Sequence, residues 1–253
     1  MPFQRIESEK LASAIVRQIE ELIVQGILRP GERLPSERDL SERLGVSRPS
    51  LRDAIAQLQD QGLVSAKVGA GIFVADVLGS AFSPALIRLF SASEQAVFDY
   101  LGFRRDLEGL AAERAAKFAS DTDLQVIAKL FERMEAAHSK RNYAEEAALD
   151  PQFHMAIIEA SHNIITLHMM RAMFELLNDG VFYNRGTLFK NRATRAKLLA
   201  QHRAINDALQ ARDGPAANAA VADHLRFVEV EMSQIRKAER NEHTAQLRLK
   251  QRS

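Results

Sequence analysis

The sequence predicts a mostly α-helical chain in two parts. A small unit of helices closed by a β-hairpin occupies residues 1–78, an all-helical bundle occupies 79–240, and a basic tail, 241–253, follows. Three observations predict this. Apolar residues recur at three- and four-residue spacing along most of the chain, the period of a helix with one buried face. Strand-like alternation occurs once, in LVSAKVGAGIFVA (63–75), around Gly69-Ala70-Gly71. The texture changes near Gly79-Ser80, beyond which Ala, Leu, Glu and Arg dominate.

Composition narrows the class. The chain has 253 residues, of which 46% are hydrophobic, enough to bury two cores. No apolar run approaches the roughly 20 residues that cross a bilayer, so no membrane partner is expected. The first ten residues, MPFQRIESEK, mix acids and bases and do not read as a signal peptide. The absence of cysteine excludes disulfides and thiolate metal sites and fits a cytoplasmic protein. The net charge of +1 does not by itself announce a nucleic-acid partner.

In the first part, Leu11, Ile15, Ile19, Leu22 and Ile23 fall at helical spacing within 10–27. Pro30-Gly31 marks a turn, and LPSE (34–37) reads as the start of a short helix over 37–44, which Gly45 breaks. Ser47 is suited to cap the next helix, Pro49 is tolerated in its first turn, and Gly62 follows its end near Asp60. The hairpin comes next. In the second part, helical periods run over about 94–119, 121–139, 143–160, 162–184, 190–211 and 215–240. The stretch from Arg236 to Ser253 holds six Lys/Arg against two Glu, and reads as the last helix continuing and then fraying into a solvated tail.

Helix, tight turn, helix and two-stranded wing make a winged helix-turn-helix, whose second helix enters the DNA major groove with its N-terminal residues at the base edges. This explains an otherwise unfavourable choice. Arg48 and Arg52 sit one turn apart at a helix N-terminus, where the macrodipole disfavours cations. Against guanine O6 and N7 they can form bidentate forks. Ser47 and Ser50 can meet phosphate, which the helix N-terminus also favours. Arg38 can hold the backbone or reach a base, and Lys67 with Gly69 and Gly71 would bring the wing to the minor groove. Residues 1–76 nevertheless contain ten Lys/Arg and eleven Asp/Glu. The basic footprint must therefore be local, with Glu20 and Glu21 on an outer face, and a dimer is expected to double the phosphate contacts.

The stretch GERLPSERDLSERLGVSRPSLRDAIAQLQDQGLVSAKVGAGIFV resembles the DNA-binding domain of GntR-family bacterial repressors over residues 10–75. FRRDLEGLAAERAA, LDPQFHMAIIEASHN, QHRAINDALQARD and VADHLRFVE resemble the all-helical FCD effector domain of the FadR-like subfamily over 80–240, most closely regulators answering to pyruvate, lactate or glycolate. The resemblance implies that Arg38, Arg48, Arg52 and Gly69 contact an operator.

Asp150 and His154, four apart, can leave one face of a helix together. Spacing alone supports only this pair. Since Asp150 precedes Pro151, an N-cap role also stays open. The resemblance adds His202 and His224 to make a divalent-metal site, for which one Asp and three His suit Zn²⁺. It also turns Arg104 toward an effector pocket, with Asn163, Arg171 and Tyr183 as further wall residues. Spacing leaves open that Arg104 only pairs with Glu108 on a helix surface. His138, His162, His168 and His243 read as structural or surface residues.

The expectation is a cytoplasmic, homodimeric transcriptional repressor on a near-palindromic operator. A small 2-oxo or 2-hydroxy acid bound at the metal would control it. Two alternatives stand beside it: a metal-dependent hydrolase using the Asp/His₃ set, or a DNA-binding protein with no ligand. No HExxH, serine-nucleophile or phosphate-loop motif supports catalysis, so no enzyme activity is expected.

Overall fold

The computed structural model describes residues 9–67, 69–75, 83–178 and 186–252. The chain divides into two compact units, Met1–Phe82 and Ser83–Ser253.

In the first unit, α1 (Glu9–Val24) buries Ala12, Ile15, Val16, Ile19 and Ile23. These meet Leu51, Ala54, Ile55 and Leu58 of the helix α3 described below, together with Leu34, Val64 and Val74. The helix stops short of the expected residue 27. Gly26 takes a left-handed φ of 70°, and Ile27 N–H turns back to Leu22 C=O at 2.9 Å, closing the helix end. The second helix, α2 (Glu37–Leu44), is capped by Ser36, whose hydroxyl accepts from Asp39 N–H, and ends on Gly45 at φ 64°. The third, α3 (Arg48–Asp60), is capped by Ser47 and carries Pro49 in its first turn, where no helix bond is lost. Strands β1 (Val64–Lys67) and β2 (Gly71–Val74) pair antiparallel, Val64 opposite Val74 and Lys67 opposite Gly71. The segment before α2 adds to β2: Leu34 N–H donates to Ile72 C=O, and Val74 N–H to Glu32 C=O. The wing is thereby tied to the helix-turn-helix.

The second unit opens with α4 (Pro84–Ala92), a helix outside the expected periods; it buries none of its residues. Then come α5 (Glu94–Phe118), α6 (Asp121–Ser139), α7 (Tyr143–Ala160), α8 (Ile164–Asn178), α9 (Gly186–Lys190), α10 (Arg192–Gln210) and α11 (Gly214–Arg252). The expected helix over 162–184 is α8 as far as its described residues go. The one expected over 190–211 is α10, which begins at Arg192 because Asn191 caps it by accepting from Ala193 N–H. The last helix does not fray after residue 240 but continues to Arg252.

Helices α5 and α11 run antiparallel, with Glu94 against Arg240, Arg105 against Glu229 and Glu113 against Asn218. Small residues permit this approach. A Cβ on Gly109 would lie 3.1 Å from the Asn218 side chain, and one on Gly214 would lie 3.2 Å from Glu113. The core lies between these helices and α6, α7 and α10, and includes Ala112, Ala115, Ile127, Phe131, Met134, Leu149, Phe153, Ile157, Ile205, Leu209 and Leu225. No helix of the described residues is long and apolar enough to cross a membrane.

Candidate metal centre and candidate nucleic-acid interface

Helix α7 settles the position of Asp150. Its N-cap is Asn142, so Asp150 is not a cap but lies mid-helix, and α7 runs on through Pro151. Proline gives up one helix bond here. Burial of Leu149 and Phe153 on either side, at 1% and 0% exposure, offsets that loss. Asp150 and His154 therefore share an inward face. His202 on α10 and His224 on α11 meet them, and one ligand atom from each of the four lies within 4.8 Å of all the others. All four are buried. Asp150 Oδ1 is 3.3 Å from His202 Nε2 and 3.8 Å from His154 Nε2, and the two Nε2 atoms are 3.4 Å apart.

A second layer orients these rings. Glu108 Oε2 lies 2.6 Å from His154 Nδ1, a contact that turns the Nε2 edge of the ring toward the cluster. Gln201 Oε1 accepts a hydrogen bond from His224 Nδ1 at 3.2 Å. Phe153 sets its edge against the His202 ring at 5.3 Å between centroids. His202 Nδ1 is buried and has no hydrogen-bond partner among the described residues. Burial pushes the His202 imidazole below its ordinary value, opposed by its contact with Asp150. Burial pushes His224 well below, reinforced by the charges of His202 and His154. Neutral imidazoles around one carboxylate, with lone pairs converging, are the donor set a divalent cation requires. The residues present fit a metal.

Arg104 is buried on α5, and its Nε donates to Glu108 Oε1 at 2.6 Å. The i,i+4 pair with Glu108 therefore exists, but it is in the interior, not on a helix surface. Burial alone would raise Glu108; the charges of Arg104 and His154 outweigh it and hold the carboxyl at about 2. Arg104 also stacks 4.8 Å above the Phe174 ring. Asn163 lies at the start of α8, where its Oδ1 accepts from Thr166 N–H at 3.0 Å. Arg171 Nη2 donates to Glu159 at 2.9 Å. Tyr183 lies outside the described residues.

In the first unit, Arg38, Arg48 and Arg52 all extend from exposed faces, their side chains 75%, 57% and 61% exposed. Glu37, at the start of α2, joins the last two. Its Oε2 is 2.8 Å from Arg52 Nε and 3.8 Å from Arg48 Nη2. Arg38 leans toward Asp39 at 3.7 Å. Ser47 Oγ accepts from Ser50 N–H at 3.3 Å, and the two hydroxyls are 2.8 Å apart. Lys67 lies 4.7 Å over the Phe73 ring. Gly69 has a φ of 72° with open space around it, whereas a Cβ on Gly71 would strike Arg33 Nε at 2.8 Å. Gly71 thus makes room for Arg33 inside the wing.

The bacterial regulatory proteins of the gntR family match over residues 11–74, and the FCD domain matches over 99–227. The chain belongs to the GntR family. It is a DNA-binding transcriptional regulator of the GntR/FCD type. The Glc operon transcriptional activator of Escherichia coli K12 is 32% identical to this GntR protein over 232 residues, covering 90% of the chain and 91% of the relative. The Uxu operon transcriptional regulator of the same strain is 33% identical over 213 residues, 83% and 82% of the two chains. HTH-type transcriptional regulator LutR of Bacillus subtilis 168 is 31% identical over 209 residues, 82% and 94%. Among solved structures, Streptococcus agalactiae GntR shares the fold with a TM-score of 0.51 at 23% identity, covering 86% of this chain and 98% of that one.

Sequence reasoning missed the roles of Glu37, Gln201 and Phe153 in this GntR protein, and missed that Glu108 holds His154. One signal was available for Glu108. Arg104/Glu108 and Asp150/His154 are both i,i+4 polar pairs set among apolar residues, a pattern that suits two helices facing each other across a polar centre.

Proposed function

We propose that this GntR/FCD protein acts as a homodimer on a near-palindromic operator and is controlled by a small 2-oxo or 2-hydroxy acid, of the pyruvate, lactate and glycolate kind. The acid binds where Asp150, His154, His202 and His224 hold a divalent cation. The observation that carries this reading is the buried four-donor cluster joined, through Glu108, to a buried arginine. Nitrogen and oxygen donors in this ratio suit Zn²⁺. A bound divalent ion supplies positive charge and open positions for oxygen ligands. Arg104 supplies the cation for the acid's carboxylate, and Glu108 holds both Arg104 and His154 in place. Asn163 and Arg171 are proposed as outer wall.

At the other end of the chain, Arg48 and Arg52 read bases from the N-terminus of α3. Arg38 and Lys67 contact the backbone or groove edges, Ser47 and Ser50 lie at phosphate, and Gly69 brings the wing close. The acid shifts the equilibrium between DNA-competent and incompetent states by its difference in affinity for the two. Repression by operator occupancy, relieved by the acid, is the proposed output. The Glc operon relative bears the name of an activator, so transcription in vitro with and without the acid decides the sign.

A thermal-shift panel on the metal-loaded protein tests the site, with pyruvate, L- and D-lactate, glycolate, glyoxylate and gluconate, each with and without prior chelation. A ligand that binds only the folded state raises the melting temperature. The expected result is a rise with one acid that disappears on chelation. A rise that survives chelation moves the pocket away from these four residues, and no rise with any acid overturns the effector class.

A further inference from the structure

One stripe of α5 faces away from the core of the helical unit. Phe103, Asp106, Leu110, Arg114 and Lys117 recur along it at three- and four-residue spacing. Leu110, at the centre, is 60% exposed. On one flank α5 meets α11, through Arg105, Gly109 and Glu113. On the other it meets α8, where Tyr100 Oη donates to Met173 C=O at 3.3 Å and Arg104 stacks on Phe174. The stripe between these flanks is left at the surface. Helix α8 adds apolar surface of its own: Ile165 and Met169, four apart on one face, are 73% and 46% exposed.

Charge is sorted along the stripe. Asp106 lies four residues before Leu110, and Arg114 and Lys117 lie four and seven after it. Arg114 is held in place, its Nε donating to Ser161 C=O at 2.8 Å and its guanidinium 4.7 Å over the Phe118 ring. Consider a two-fold axis through Leu110, perpendicular to the helix. It sets each residue against the one equally far beyond Leu110 in a second copy. Asp106 then meets the partner's Arg114, and Phe103 meets the partner's Lys117, a cation over a ring. Phe118 meets the partner's Gly102, where the space a Cβ would fill has only the Arg105 guanidinium nearby, at 3.7 Å. Leu107 would meet the partner's Glu113, but that carboxylate is turned aside to Asn218 at 3.0 Å. Two-fold symmetry makes every match occur twice. A parallel pairing would instead set Asp106 against Asp106 and Arg114 against Arg114. The α5 stripe alone falls short of the roughly 800 Å² per partner of a standard interface, and the exposed face of α8 extends it.

Resting on the homodimer reading above, we propose that the outer stripe of α5 is the docking surface for a second copy of this chain, with the two α5 helices antiparallel about Leu110. Sorted charge fixes the direction and register of the pair, and the apolar residues supply its buried area.

The chain has no cysteine, so single cysteines report on this surface without background. Full-length Leu110→Cys, oxidised with diamide, is expected to form a disulfide-linked dimer on a non-reducing gel, because a residue on the axis meets its own copy. Val126→Cys on α6 and Leu247→Cys on α11, at sites 46% and 54% exposed, are expected to stay single chains on the same gel. Sedimentation gives a second readout. Asp106→Arg sets arginine against arginine twice and is expected to weaken the dimer about tenfold or more. Arg114→Asp is expected to do the same, and the double variant to recover most of the loss. Should Arg114→Asp fail to fold, Leu110→Cys and Asp106→Arg still decide. A dimer that does not cross-link at residue 110, or that is indifferent to Asp106→Arg, overturns this surface and leaves the homodimer reading standing. Cross-linking through Leu247→Cys in its place moves the interface to the end of α11 and overturns it as well. A wild type that sediments as a monomer overturns both readings together.

Discussion

Arg52 Nε donates to Glu37 Oε2 at 2.8 Å, and Arg48 Nη2 reaches the same oxygen at 3.8 Å. One carboxylate at the start of α2 thereby aims two arginines that begin α3. It also answers an electrostatic difficulty, because cations at a helix N-terminus are disfavoured, and Glu37 brings a compensating charge to that end. The pair is exposed, so its worth to folding is small, within about 1 kcal/mol. Its worth lies in aim. Replacing Arg48 or Arg52 with Ala should cost about 1–3 kcal/mol of operator binding and relax the preference for the contacted base. Glu37→Gln should lower the ratio of operator to scrambled-DNA affinity while leaving the melting temperature almost unchanged. Fluorescence anisotropy on the two duplexes reads both. Unchanged operator affinity in Arg48→Ala and Arg52→Ala would defeat the recognition-helix assignment.

His202 is the fully buried member of the donor cluster, within 3.4 Å of both Asp150 and His154. His202→Ala should remove stoichiometric metal and with it the acid-dependent melting shift. Operator binding by the metal-free protein should persist, because the helix-turn-helix belongs to a unit with its own core. Metal content by mass spectrometry of the purified variant checks the first expectation and a gel shift the second. A variant that keeps both metal and acid response shows that the ligands lie elsewhere.

Glu108 touches His154 but is not among the four donors. An acid that orients a ligating histidine usually matters about 10–100-fold in metal affinity. Glu108→Gln should weaken zinc by that order in a competition titration against a chromophoric chelator. It also removes one counter-charge from buried Arg104, so the melting temperature should fall too. Glu108→Asp, which keeps the charge but shortens the reach, should recover stability more than metal affinity. Equal recovery of both would make Glu108 a partner of Arg104 alone.

How far the sequence reveals this arrangement depends on the range of the interaction. The helix-turn-helix and wing were legible because their signals are local: a Ser cap, a Gly stop, and a hairpin glycine at positive φ. Asp150/His154 was legible for the same reason, as one turn of one helix. His202 and His224 were not, since nothing along the chain shows that α10 and α11 bring them to α7; resemblance joined them, and packing accounts for it. Arg104–Glu108 was ambiguous for the same reason. Its spacing suits a surface ion pair as well as an inward one, and what places it in the interior is contact with His154 of α7 and Phe174 of α8. Helix α4 is absent from the sequence-based expectation although its signals are local: Ser83 caps it, Pro84 opens it and its apolar residues recur at helical spacing. Pro151 pointed away from a helix, but the apolar residues around it hold α7 together.

The junction of α5 and α6 gives a pH-dependent expectation. Asp123 accepts from Ser120 N–H at 2.8 Å and from Ser120 Oγ–H at 2.7 Å, while Ser120 Oγ accepts from Asp123 N–H at 3.1 Å. His162, just past α7, adds a contact to Asp123 at 2.9 Å. Partial burial raises the carboxyl, but the Ser120 and His162 hydrogen bonds outweigh it, and the value falls below the model-peptide 3.8. A carboxyl depressed in the folded state binds its proton more readily when unfolded. Its stabilisation is therefore complete above the unfolded value and is lost as pH falls through the folded one. Asp123→Asn keeps the shape but not the charge, and should cost about 0.5–2 kcal/mol at neutral pH, the range of a helix cap. The gap between wild type and variant should be present at neutral pH and close as pH falls from about 5 to below about 4. Urea unfolding of both proteins across that range measures it. A gap that is constant down to pH 3 would show that the cap works through geometry and that its charge contributes nothing.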